Sequence, residues 1–419
     1  MSFSQRIQEI RHNRSLRFIG SQWFFIVLGV LVTLAYFFPS FGRNGGTIHA
    51  EYTIGYGAVA LIFLQTGLSM SSKKLLVNIF NWRAHFVVLL ISFLVTSAIM
   101  YGICCGLLQW GKIDEWVIVG LVLVSACPTT IASNVMMTKD AGGNESLSVC
   151  EVFIENVLGT FLTPAIVQLY TSSGQLKFGN PASDSSLSIL YRSVMKQLGI
   201  SLFIPLAAGQ LLQNMFPTQV SWALKNLNMG TISSFCLLLI MWSSFSTAFH
   251  QKAFESVSHL SIIFLVFFVI GIFLLFTLIS YFMARPPLLD LLFRKELSEQ
   301  SSKVYQISYH IFKPFYYSKR DTIAVMFCGA SKTGALGVSL ITAQYGNNFR
   351  NLGKLLVPLT LYQTEQIVIS SLLVPLFRRW CSDENERMVK ENTGELDIES
   401  SIKLEGQSSK EKKLNSNMI

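Results

Sequence analysis

Apolar runs of roughly twenty residues recur through this chain, at 20–39, 53–70, 84–109, 116–137, 147–170, 193–213, 229–249, 258–283, 321–343 and 353–377. A helix of that length crosses about 30 Å of hydrocarbon, and inside lipid only helices and closed barrels pair all their own backbone groups. The chain therefore reads as an all-α polytopic membrane protein with ten transmembrane helices. Charged residues make up only 14% of it, against about a quarter in soluble domains. Its Lys and Arg flank the apolar runs instead of gathering on one soluble face, which argues against nucleic acid as a partner despite a net charge of +9. The seven cysteines show no CxxC or His-rich spacing, so neither a disulfide framework nor a metal site is expected. No nucleophile–base set or cofactor motif is present, so no enzyme activity and no cofactor are expected. The first apolar run is full length and follows a polar stretch, so no cleavable signal peptide is expected.

Charge sets the orientation. With ten spans, one side receives residues 1–19 and the segments 71–83, 138–146, 214–227 and 284–320, which hold 16 Lys and Arg. The opposite segments hold 6, and the tail adds 8 to the first side. Both termini are therefore expected in the cytoplasm. Residues 1–19 form a cytoplasmic N-terminus, 171–192 an extracellular loop, 284–320 a cytoplasmic loop and 378–419 a cytoplasmic tail. The tail mixes 9 acidic with 6 basic residues from Ser382 onward. It holds too little apolar surface for a core and is expected to be disordered. Segment 284–320 mixes Arg285, Lys303, Lys313, Lys319 and Arg320 with Tyr305, Tyr309, Phe312, Phe315, Tyr316 and Tyr317. It reads either as a topology-setting loop or as a patch for anionic headgroups.

The spans divide five and five, as 20–170 and 193–377. The fourth of each half is interrupted, and the fifth of each carries a late proline, Pro164 and Pro375. Five is odd, so the second half must enter from the opposite side, giving two inverted five-helix repeats.

The interruptions carry the chemistry. In the fourth span Pro128 removes a backbone donor and opposes the carbonyl one turn earlier. It is followed by Thr129, Thr130, Ser133, Asn134 and, past a Gly pair, Asn144. In the ninth span Ser331, Lys332 and Thr333 interrupt an apolar run. A helix is broken inside hydrocarbon only where protein or a water-filled cavity receives the freed groups. Paired broken segments are therefore the pointer to a solute site. Lys332 lies too deep to snorkel, and an intramembrane charge is expensive enough to need a role or a partner. It reads as a structural cation holding the broken ends, as a ligand for an anionic solute group, or as a proton carrier. Glu151 and Glu155 are four apart and share a helix face with Ser148, and one of them is expected to pair with Lys332. Asp321 is expected to cap the ninth span, and His85 to sit at the interface.

Several stretches resemble the bile acid:sodium symporter superfamily, most closely its seventh solute-carrier member and the fungal regulators of cytosolic calcium. They are YFFPSFGRNGG at 36–46, FLQTGLS at 63–69, AGGNE at 141–145, IPLAAGQLL at 204–212 and DTIAVMFCGASKTGALGVSL at 321–340. The resemblance implies a panel domain of helices 1, 2, 6 and 7 and a core domain of helices 3–5 and 8–10, with broken helices 4 and 9 crossing in the core. It implies a multi-pass protein of the cell membrane that negatively regulates cytosolic calcium when external calcium is high. An alternative is a secondary transporter of an organic or anionic solute, with calcium effects indirect. A third reading has the fold act as a scaffold on a calcium channel or its regulators. Sodium-coupled relatives hold sodium with a Ser-Asn pair in helix 4, a hydroxyl in helix 5 and a Glu with a Gln in helix 9. Here Ser133, Asn134 and Ser148 match the first part, whereas the Glu position falls on Phe327, the Gln position on Ser331 and the next polar position on Lys332. Lys332 is therefore expected to stand in place of the sodium ion, with Ser133, Asn134 and Asn144 facing it.

Overall fold

The computed structural model describes residues 23–70, 72–171, 192, 196, 199–227, 229–293, 302–345 and 351–382. The expected N-terminal segment 1–19, most of the loop 171–192 and the tail beyond 382 lie outside the described residues. Among them the chain is helical without strands. Its helices are α1 Trp23–Phe37, α2 Ala50–Ser69, α3 Ser72–Ile79, α4 Trp82–Trp110, α5 Glu115–Ser125, α6 Ser133–Asp140, α7 Glu145–Thr171 and α8 Gly199–Met215. They continue as α9 Pro217–Asn226, α10 Met229–His250, α11 His259–Ala284, α12 Pro287–Leu292, α13 Lys303–Phe312, α14 Lys319–Ala330, α15 Gly334–Tyr345 and α16 at 352–382. Among the described residues four stretches are long and apolar enough alone to cross a membrane: α4, α7, α10 and α11 with its extension to Leu292. Counting the bent pairs α2–α3 and α8–α9 as one span each raises that to six.

Helix starts follow local chemistry. Asp114 accepts from the Trp116 amide at the head of α5, and Ser258 accepts from Ser261 at the head of α11. At α14 the Ser318 hydroxyl accepts from the Asp321 amide at 3.2 Å and donates to the Asp321 carboxylate at 2.8 Å. Ser318 is thus the N-cap and Asp321 its partner one turn in, where the helix dipole favours an anion. This corrects the expectation that Asp321 itself caps the helix. Segment 284–320, expected as a loop, instead carries α12, α13 and a tight turn at Lys313–Phe315.

The main core forms around α5. Val117 through Leu123 are buried on every side, as an apolar helix must be when neighbours surround it. The surrounding side chains come from α4, α11 and α16, including Phe273, Phe276 and Tyr362. A second cluster joins α2, α8 and α10 through Ile62, Phe63, Leu202, Leu206 and Cys236, and meets Val135 of α6 and Val149 and Val152 of α7. Glycine sets the closest approach: a Cβ on Gly67 would lie 2.5 Å from the Leu206 carbonyl, and one on Gly209 2.5 Å from the Leu64 carbonyl. Any larger residue at either position would drive α2 and α8 apart.

Candidate functional site

Two helices are interrupted deep in the bundle, α5–α6 across 126–132 and α14–α15 across 331–333. The interruptions meet. The Thr333 amide donates to the Pro128 carbonyl at 2.7 Å. Each is then sealed by the helix that follows its broken pair. From α7, the Glu155 carboxylate accepts from the Thr129 amide at 3.1 Å. Asn156 donates to the Thr129 carbonyl at 3.1 Å, and the Thr163 hydroxyl donates to the Ala126 carbonyl at 2.8 Å. From α16, the Gln366 amide side chain both accepts from the Lys332 amide and donates to the Lys332 carbonyl, each at 2.7 Å. Gln363 accepts from the Gly334 amide at 3.1 Å, and Tyr362 donates to the Ala330 carbonyl at 2.8 Å. These backbone groups at the breaks are thereby paired inside protein, where hydrocarbon would leave them orphaned at a cost of several kcal/mol each.

Lys332 is fully buried. Its ammonium donates to the Ser92 carbonyl and, at 3.0 Å, to the Ser92 hydroxyl. Ser92 lies in a π-helical turn of α4, Leu90–Val95, and its carbonyl also accepts from the Thr96 hydroxyl at 2.8 Å. A π turn shifts the regular backbone pairing and leaves a carbonyl open to side chains. The expected ion pair takes another form. Glu155 lies beside the Ser92 hydroxyl and within electrostatic range of Lys332, yet the two make no direct ion pair within 4 Å. Glu151 pairs instead with His85, Nδ1 to Oε1 at 2.7 Å, while the other His85 nitrogen reaches the Ile79 carbonyl at 3.1 Å. His85 is therefore a buried partner and not the interfacial residue that its place near the start of α4 indicated.

The remaining residues separate into those at the crossing and those below it. Thr129 accepts from the Asn134 amide side chain, and Ser133 donates to the Thr130 hydroxyl at 2.6 Å. Ser148 sits one level down, between the Thr138 hydroxyl at 3.4 Å and the Cys328 sulfur at 3.5 Å. Ser331 is buried at the end of α14, its amide bonded to the Phe327 carbonyl. Asn144 does not face Lys332: it caps α7 by accepting from the Leu147 amide and donates to Asn78 and to Asp321. The Gly-Gly turn carries the chain away from the break before Asn144 is reached, so proximity in sequence misplaced it.

Beside the crossing lies a cavity of about 360 Å³. Thr130 and Ser133 line it from one break, and Thr333 and Gly334 from the other. It runs between α15 and α16 on one side and α2 and α10 on the other, toward the end where α2 begins and α10 finishes. Glu51 is the charged side chain in its lining. Lys332 is not part of that lining; its neighbour Thr333 is. Ser92, Asn156, Gln363 and Gln366 were not among the residues singled out from sequence, although each is a polar group inside an apolar run.

Comparison with known proteins decides the family. The family model described as SBF-like CPA transporter matches residues 22–379. The chain belongs to the SBF-like CPA transporter family. The resemblance carried by the 36–46, 63–69, 141–145, 204–212 and 321–340 stretches is upheld. Among this family member's relatives, solute carrier RCH1 of Candida albicans is 54% identical over 387 residues, 91% of this chain and 94% of that protein. Solute carrier RCH1 of Saccharomyces cerevisiae is 51% identical over 408 residues, 95% of this chain and 94% of its own. Sodium/bile acid cotransporter 7 of Danio rerio is more distant, 27% identical over 370 residues, 88% of this chain and 97% of its own. The family and the apolar helices together make this a multi-pass membrane protein of transporter type.

Proposed function

We propose that this chain is a sodium-independent solute carrier of the cell membrane that limits calcium entry when external calcium is high. The single observation that carries sodium independence is the position of the Lys332 ammonium, buried at the crossing and bonded to Ser92. A fixed positive charge repels a sodium ion, and sodium needs several oxygen ligands including charge. Ser133, Asn134 and Ser148 supply neutral oxygens only, with Phe327 and Ser331 where charged and amide ligands would be needed.

The architecture we propose is ten spans in two inverted repeats with both termini cytoplasmic. Helices α1, α2, α8 and α10 serve as a panel, and α4–α7, α11 and α14–α16 as a core. Support comes from the matching treatment of the two breaks, each sealed by the next helix, α7 or α16. The cavity lies between the two groups of helices, where a rocking core would expose it to alternate sides. Its lining mixes apolar side chains such as Ile54, Val59, Leu237 and Leu359 with hydroxyls, amides and one carboxylate, Glu51, which favours a neutral or cationic amphipathic solute over an anion.

Calcium regulation rests on the resemblance to the fungal regulators and on the 51–54% identity to the two RCH1 carriers. The alternative, with the fold acting as a scaffold on a channel, is separated by one experiment. Calcium uptake at high external calcium is measured in cells carrying the chain, Lys332→Ala or Asn134→Ala, with surface level matched. Loss of restraint in both variants supports a working crossing. Full restraint with both altered would overturn the carrier reading in favour of the scaffold.

A further inference from the structure

We propose that the ends of α11 and α16 and the start of α14 hold a binding site for the phosphate of an anionic phospholipid, with α13 lying on the bilayer beside it. The proposal needs only that the chain sits in a membrane. It stands apart from sodium independence and calcium restraint, and its failure would leave both untouched.

Three cations meet here over two aromatic rings. The Arg285 guanidinium lies 4.5 Å from the centre of the Tyr316 ring and 5.6 Å from that of Trp380. The Lys313 ammonium is 5.1 Å from the same Tyr316 ring, and the Lys319 ammonium 5.4 Å from the Trp380 ring. Their hydrogen bonds go to neutral oxygens. Arg285 donates to the Tyr316 hydroxyl at 2.7 Å, Lys319 to the Trp380 carbonyl at 2.9 Å and Lys313 to the Phe293 carbonyl at 3.4 Å. Among the described residues none of the three has a carboxylate within ion-pair distance. The nearby Asp321 is committed to Ser318 and Asn144. Rings with a negative face can gather cations, but they do not neutralise them. Three half-buried like charges with no counterion among the described residues are stabilised by an added anion, and Arg with Lys is the pairing that takes a phosphate.

The surroundings choose the source of that phosphate. Val304, Ile307 and Ile311 fall on one face of α13 and are exposed. The other face packs Tyr305 and Tyr309 against Phe293. Leu288, Leu291 and Leu292 of α12 are exposed as well, and Trp82, also exposed, stands edge-on to Phe315. An apolar stripe beside a basic cluster, flanked by an interfacial tryptophan, is how a helix lies in the headgroup layer. A soluble phosphate would leave that stripe in water. The leaflet that bears this face is rich in anionic lipid if the orientation follows the Lys and Arg bias.

The test uses the purified full-length protein in a neutral detergent, with thermal unfolding followed in mixed micelles. Added phosphatidylserine should raise the midpoint by about 3–6 °C, with no rise from phosphatidylcholine or inorganic phosphate. Combined Arg285→Gln, Lys313→Gln and Lys319→Gln should abolish the rise. An equal rise with phosphatidylcholine, a rise with inorganic phosphate, or a full rise in the triple variant would each overturn the proposal. Because the triple variant loses contacts to Tyr316 and Trp380, tryptophan quenching by brominated lipid is measured on the unaltered chain and Trp380→Phe. Stronger quenching by brominated phosphatidylserine than by brominated phosphatidylcholine, reduced in Trp380→Phe, supports the site. Equal quenching by the two lipids overturns it.

Discussion

The main-chain amide of Thr333 donates to the main-chain carbonyl of Pro128 at 2.7 Å, so the two broken helices are joined backbone to backbone. Pro128 has no amide to continue its own helix, and its carbonyl, past the end of the α5 ladder, is used across the crossing. Further backbone groups at the breaks are taken up by side chains of α7 and α16, which do there what a continuous helix would otherwise do. The crossing is therefore held by polar side chains of neighbouring helices as much as by its own residues.

Gln366 makes the most of these contacts, so its removal is expected to cost most. Gln366→Ala orphans both the amide and the carbonyl of Lys332, at about 1–3 kcal/mol for each buried group. Gln363→Ala orphans one amide, that of Gly334. Thermal unfolding of the purified variants should rank Gln366→Ala below Gln363→Ala and both below the parent.

Two glycine substitutions separate packing from helix propensity. A Cβ on Gly159 would lie 2.7 Å from the Pro128 ring, whereas one on Gly102 meets nothing within 4 Å. Both gain up to about 1 kcal/mol of helix propensity on changing to alanine. At Gly159 the clash at the break outweighs it, at about 1–3 kcal/mol. Gly102→Ala should unfold at or above the parent temperature and Gly159→Ala below it.

The His85–Glu151 pair is testable by a double-mutant cycle. Glu151 is fully buried, and His85→Leu leaves its carboxylate without a partner, at about 3–5 kcal/mol. Replacing both by leucine removes the buried charge and should recover most of the loss. Unfolding midpoints of the two single variants and the double variant give the coupling directly.

The sequence made the two breaks legible because a proline, a cluster of hydroxyls and a lysine have no cheap place in an apolar run. Lys332 stood out for that reason, and so did Thr129, Thr130, Ser133 and Asn134. Its partner Ser92 did not, since a lone serine is common in a membrane helix, and the π turn that opens its carbonyl leaves no local signature. Gln363 and Gln366 are spaced three apart on α16, a pattern visible in sequence, but their targets lie about thirty residues away on another helix. Glu151 and Glu155 share one helix face, and their spacing does not say which of them meets Lys332. Burial divided them, because His85 lay within reach of the first and the Thr129 amide within reach of the second.

Sodium provides the most direct measurement on Lys332. Unfolding of the purified protein is followed in sodium chloride and in choline chloride at equal ionic strength, for the parent and for Lys332→Gln. The parent should unfold at the same temperature in both salts, because the buried ammonium bonded to Ser92 repels a cation at the crossing. A higher midpoint in sodium for the parent, retained unchanged in Lys332→Gln, would contradict a lysine-centred crossing.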